Sequence, residues 1–494
     1  MEVKGSQVKE KLLLILFALA AGFIFDYLFY GKELGISYPI YVLVLLSLFW
    51  WSQRQFISVE KSFGWFVLIP VLLLAATFAI YANPVLLAIN FLLIPVLLVV
   101  HTISAANSRV SWSDLSIIGQ IVKRVIPLTI ENIPKPFLFI VEQLTPKESG
   151  SGFLTVKKIV TGLLICVPVL FVVLPLLSSA DMVFNHYLSH VARFWELVEL
   201  GPAARQGLII LFVFVCLSGY IWSFHSKPPK VETEKPTKHG SLDPVTLLTV
   251  LFVINLVYLL FSIIQFSYLY GVQGHLLPAG FTYAEYARRG FFELVAVTII
   301  NLGILLGSFH YVDKKNQRVN TIVRYCLSLL VLFSLNMLFS AHFKMSLYEE
   351  ACGLTYLRVF VHYFMLLLLT LILLALGHVW HNKIPLAKAY IVIALAFYTV
   401  LNFINIDKII VRSSIDRYVK TGEIDINYLK TLSCDAIPDL LTLTQDADQE
   451  TVQQIKAYLL KEKQYLAEDK PWQSFNYSRY KANSALKNVG GENR

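Results

Sequence analysis

The 494-residue chain is 56% hydrophobic and only 15% charged, with a mean hydropathy of +0.62, a balance that excludes a water-soluble protein of this length. Its net charge of +9 does not argue for nucleic acid, because a polytopic membrane chain collects excess Lys and Arg in its cytoplasmic loops. Five cysteines without CxxC or Cys/His spacing exclude a zinc module, and no cofactor is implied.

Taken in order, Lys4, Lys9 and Lys11 precede an apolar run at 12–28, long enough to cross a bilayer from a cytoplasmic amino terminus. Ala18-Leu19-Ala20 has the form of a signal-peptidase site, yet the run continues through Phe23, Ile24 and Phe25, so a retained anchor is expected. Asp26 is an intramembrane acid near the outer end of this run. Runs at 36–51, 63–81 and 84–102 complete an N-terminal four-helix segment over residues 1–102. Residues 103–155 mix basic side chains with apolar clusters and predict a cytoplasmic interfacial loop. Two further spans, at 156–178 and 206–224, fill residues 156–225, with an outer surface helix between them. Residues 226–241 form a basic linker too poor in apolar residues to fold.

The segment 242–405 predicts five more helices. In the first of them Asn255, Tyr258, Ser262 and Gln265 recur at helical spacing, a stripe expected to hydrogen-bond neighbouring helices. The second opens with Thr282 and Glu285 as a capping box, and Glu285, Arg289 and Glu293 stand four residues apart on one face beside Arg288. Its inner half carries Asn301 and the pair Gly303 and Gly307. Runs at 326–342, 355–380 and 387–404 follow. The fold class is therefore all-α, a polytopic transmembrane helix bundle of about eleven spans. Residues 406–494 become polar, with helical periodicity, and predict a small all-helical soluble tail.

Lys and Arg concentrate in the connections on the side of the amino terminus, which places the tail on the opposite, extracytoplasmic face. That topology gathers an outer-face polar collar from distant stretches: Glu285, Arg288, Arg289 and Glu293; Glu350, Arg358 and His362; Asn405, Asp407 and Arg412. Such residues serve either as structural ion pairs or as a polar-ligand or pH-sensing site, and Asp407 with Arg412 is expected to join the tail to the collar. Cys352 and Cys434 fall on the same oxidising side, where a bridge would staple the tail down. Phosphate-loop, nucleophile-elbow and metalloprotease motifs are absent, no catalytic residue is assigned, and His378 with His381 offers too few ligands for a metal.

TYAEYARRGFFEL, GLTYLR downstream, and NIDKIIVRSSIDRY followed by YLKTLSCDAIPDLL give the chain its one resemblance. Through these motifs it resembles a bacterial family of multi-pass membrane proteins catalogued only as a domain of unknown function. The resemblance implies a bacterial cytoplasmic (inner) membrane and supplies no activity. The expected function is a non-enzymatic component for envelope sensing, assembly or signalling, with the lipid bilayer and an envelope or signalling protein as partners and no nucleic acid. The alternatives are a proton- or ion-coupled transporter using Asp26, Glu293 and the Asn255 stripe, and a membrane enzyme acting on lipid or cell-wall precursors.

Overall fold

The computed structural model describes residues 2–54, 63–106, 121–144 except 123, 202–225, 244–269, 291–311, 317–381 and 385–487, with single positions elsewhere. Every regular element among them is helical. The apolar runs that fall on these residues form α1 (Glu2–Phe29), α2 (Ser37–Gln53), α3 (Phe63–Ile80) and α4 (Pro84–Ala106). A π turn leads into the short α5 (Thr129–Asn132) and α6 (Pro134–Leu144), followed by α7 (Pro202–His225) and α8 (Pro244–Leu269). The series continues with α9 (Phe291–Tyr311), α10 (Gln317–Cys352), α11 (Tyr356–Trp380) and α12 (Leu386–Leu401).

Among the described residues six helices have the length and apolarity to cross a membrane, and a seventh span results if α12 and the helix after it, bent by 61°, act as one. The chain is an integral membrane protein. The described residues carry fewer full-length spans than the eleven expected, partly because α2 has only 17 residues and the apolar parts of α3 and α9 are short. The expected span at 156–178 lies almost wholly outside the described residues, as do the surface helix that follows it, the linker at 226–241, and Glu285, Arg288 and Arg289.

The chain divides into two compact units, Met1–Val231 with Ala467–Tyr480, and Glu232–Leu466 with Lys481–Arg494. In the first, α1 packs on α7 and α2, and α3 pairs with α4. Small residues make this possible: Ala18 and Ala21 are fully buried beside Leu14, Phe214 and Val215, so neighbouring helices approach closely where apolar lipid offers no driving force. In the second unit α10 is central, with α8, α9 and α11 packed around it and Leu251, Leu305, Leu330 and Ile372 wholly buried.

The length of α10 departs from expectation. It has 36 residues, about 54 Å at 1.5 Å per residue, against a hydrocarbon core of about 30 Å. Lys344 and Glu350, which the expected span boundaries leave in an outer connection, therefore continue the helix together with Glu349, since nothing in FKMSLYEEAC breaks it. Gly353 does, with φ of 76°, a left-handed conformation that favours glycine.

The tail builds α13 (Ile406–Thr421), α14 (Ile426–Leu429), α15 (Ile437–Asp446) and α16 (Gln449–Leu466) around Ile410, Leu429, Ile437, Leu440 and Leu459. Asn405 caps α13, its side chain accepting from Lys408 N–H at 2.9 Å, and α13 ends at Gly422. The tail does not form one compact unit of its own. Residues 406–466 belong with α8–α12, whereas 467–480 belong with α1–α7, and α17 (Tyr477–Leu486) straddles the division.

Asp448 gives the tail a pH response. It accepts from Thr451 N–H at 2.9 Å and from the Tyr418 hydroxyl at 2.7 Å, and these bonds lower its pKa from 3.8 to about 2. A depressed carboxyl pKa contributes stability that is present above the ordinary aspartate range and is lost as pH falls toward about 2. Asp448→Asn should therefore weaken the tail at neutral pH, and the difference from wild type should shrink through that acid window. Proteolysis of the tail across a pH series checks it.

Candidate functional site

The polar centre of the second unit lies at the turn between α10 and α11. Arg358, in the first turn of α11, is 9% exposed. Its Nη1 donates to the carbonyls of Cys352, at 3.0 Å, and Gly353, and its guanidinium lies 4.2 Å from the Tyr348 ring centroid. A cation on the terminal carbonyls of a long helix satisfies acceptors that the helix leaves open and opposes the negative end of its dipole. Arg358 thus fastens the end of α10 to the start of α11.

Asp407 does the equivalent work for the tail. It sits in the first turn of α13 and is 1% exposed, with Oδ1 accepting from the Tyr356 hydroxyl and from Ser433 N–H at 2.8 Å. Tyr428, on α14, closes the arrangement by accepting from Tyr356 N–H at 2.8 Å, and burial pushes its phenol above the ordinary range. Two tail residues from separate helices, Asp407 and Tyr428, therefore bond the head of α11, and Ser433 holds Asp407 from within the tail. A cleft of about 170 Å³ adjoins them, lined by Cys352, Arg358, Arg417, Asp425 and Tyr428 among others. A second, more open one of about 480 Å³ shares Cys352 and Arg417 with it.

One turn further along α11, His362 Nε2 lies 2.8 Å from Glu349 Oε2, and its Nδ1 lies 3.1 Å from His342 Nδ1. An ionised carboxylate only accepts, so Nε2 of His362 carries a proton. With His362 neutral, His342 must then donate through Nδ1. Glu293, on the exposed face of α9, interacts electrostatically with Lys344 rather than through any described arginine, and Arg289 is outside the described residues. Glu350 is exposed.

Of the two residues expected to join the tail to the collar, Asp407 bonds Tyr356 of α11, whereas Arg412 pairs within the tail. The Arg412 side chain is exposed, and its Nε donates to Asp439 Oδ1 at 2.9 Å. Neither Cys352 nor Cys434 is in a disulfide, so no bridge staples the tail. Among the described residues no group of three His, Cys, Asp or Glu side chains is placed to hold a metal.

The polar stripe of α8 reaches other helices at each step. Asn255 Nδ2 donates to Cys326 O at 3.0 Å, Tyr258 to Asn301 Oδ1 at 2.8 Å, and Gln265 to Ser340, while Ser262 accepts from Asn336 at 3.2 Å. Asn301 continues to Ser334 at 2.9 Å. These bonds hold α8 and α9 on α10 across lipid depth. Asp26 is half-buried in α1, and its Oδ1 has no hydrogen-bond partner among the described residues.

The first unit holds a site that sequence reasoning missed. The segment 467–480 lies over the α1–α2 turn, where Glu33 pairs with Lys470 at 2.8 Å and with Arg479. Ile36 N–H donates to Phe475 O at 2.9 Å, and Asn476 Nδ2 spans the carbonyls of Phe78, at 2.9 Å, and Tyr81, at 2.8 Å. Gly35 lets the two backbones meet: a Cβ there would stand 2.5 Å from Phe475 O. The readable signal was the aromatic density of WQSFNYSRY, where Trp472, Phe475, Tyr477 and Tyr480 are set among polar residues.

A family model described as Domain of unknown function (DUF4153) matches residues 68–443. No curated protein and no solved structure matches the chain.

Proposed function

We propose, for a chain that belongs to the DUF4153 family, that it is a non-enzymatic component of the cell envelope whose helical tail, docked on the outer end of the membrane helices, presents a surface for assembly, sensing or signalling. The observation that carries this reading is Asp407. A carboxylate 1% exposed, accepting from Tyr356 on α11 and from Ser433 in the tail, makes the tail a fixed extension of the α10–α11 turn rather than a tethered appendage. The excess of basic residues on the amino-terminal side supports an extracytoplasmic tail and a bacterial inner membrane as its setting.

Two measurements test it. Single-cysteine proteins retaining Cys352 or Cys434 are exposed in intact cells to a membrane-impermeant thiol reagent. Cys352, which is exposed, should label directly, and the partly buried Cys434 should label once denaturant is added. Labelling only after permeabilisation overturns the orientation. Proteins co-purifying with the intact chain are then compared with those retained when residues after Asp407 are deleted. The docking reading predicts loss of specific partners, and an unchanged set removes it.

A further inference from the structure

The segment 467–480 is patterned inside out. Gln473, Ser474, Asn476 and Ser478 are 3–6% exposed, whereas Trp472, Phe475, Tyr477 and Tyr480 between them are 45–64% exposed. A segment resting on a protein and facing water buries its apolar side chains and turns its polar ones outward. Here polar side chains turn inward. Asn476 bonds Phe78 and Tyr81, Ser474 Oγ accepts from Glu33 N–H at 3.1 Å, and Gln473 reaches Tyr27 O at 3.5 Å. The aromatic rings form the outer face, with Trp472 6.4 Å from Tyr27 and Phe475 6.3 Å from Tyr480.

The place of this face in the fold says what covers it. Tyr27 lies two residues from the end of the span Val8–Phe29 and is 57% exposed, and the carbonyls that Asn476 caps belong to the end of α3 and the residue after it. Lys32 stands over the Tyr27 ring at 4.6 Å. A belt of Trp and Tyr beside Lys, at the level where membrane helices end, matches the head-group layer, which accommodates rings that are apolar on the body and polar at the tip.

We infer that residues 472–480 are a membrane-returning anchor, whose aromatic face inserts into the lipid head-group layer around the outer ends of α1 and α3. The inference uses the geometry of the first unit alone and does not depend on what the tail presents. On this reading the carboxyl-terminal segment is held twice, by its inward polar bonds to the α1–α2 turn and by lipid on its outer side.

The test places nitroxides on the full chain, cysteine-free elsewhere, at Trp472→Cys, Phe475→Cys, Tyr477→Cys and Tyr480→Cys, with Gln453→Cys on the exposed face of α16 as the water-facing control. In nanodiscs of phosphatidylethanolamine and phosphatidylglycerol, collision with oxygen relative to a soluble nickel chelate should be several-fold higher at the four sites than at Gln453. Nickel access equal to that of Gln453 overturns the inference. Low access to both reagents also overturns it, because it shows a covering of protein, from a second copy or a partner. If removing the native cysteines prevents folding, the protein with all its cysteines is reconstituted in lipid brominated near the head group. Trp472→Phe should then remove a quenched component of the fluorescence, and an unchanged quenched fraction overturns the inference.

Discussion

Asp407→Ala is expected to lower stability by about 3 kcal/mol, since it strands the Ser433 N–H and the Tyr356 hydroxyl, two part-buried donors each worth roughly 1–3 kcal/mol when unpaired. Thermal unfolding in detergent should show the loss, and the tail should become open to protease before the membrane helices unfold. Arg412→Ala is the control. Arg412 is charged and close in sequence, yet its side chain is 62% exposed, and an exposed pair contributes about 0–1 kcal/mol. A further comparison isolates the hydrogen bond. In a Tyr356→Phe background one donor is already gone, so Asp407→Ala should cost less there, and equal costs in both backgrounds would sink the pairing.

Gly35→Val is the second large effect. A Cβ at Gly35 would stand 2.5 Å from Phe475 O and 2.7 Å from the Ser474 carbonyl carbon, and both are backbone atoms that no rotamer change relieves. Overpacking of this kind costs typically about 1–3 kcal/mol. The segment 467–480 should lift, losing the Ile36–Phe475 backbone bond and the grip of Glu33 on Lys470 and Arg479. Gly303→Val provides the contrast, because a Cβ at Gly303 meets nothing within 4 Å. Protease cleavage within 467–480 should rise only for the Gly35 variant, and equal susceptibility would remove Gly35 as the contact point.

Local chemistry accounts for what was legible beforehand. The membrane helices follow from long apolar runs, and the stripe of Asn255, Tyr258, Ser262 and Gln265 follows from helical spacing plus the cost of an unpaired polar atom in lipid. The ends of α13 are likewise written locally, in the Asn405 cap and in Gly422. Asp407 and Arg358 were readable as members of a polar collar, since charged residues near a span end are few enough to notice.

Partner choice was a different matter, because it depends on which distant segments meet. Asp407 had Arg412 five positions away and took Tyr356 and Ser433 instead, as burial of the first turn of α13 against α11 decides which donors reach it. Arg358 looked like half of an ion pair and in fact holds two carbonyls, a use fixed by where α10 ends. Glu33 carries no local signal in the sequence. Its two cations lie 437 and 446 positions away, and no spacing rule connects them. The all-helical membrane fold and its local caps are encoded locally, since they need only neighbours within a few turns. The tertiary structure alone decided how the tail is apportioned, 406–466 with α8–α12 and 467–480 with α1–α7, because that division rests on backbone contacts such as Gly35 against Phe475, which side-chain identity does not encode.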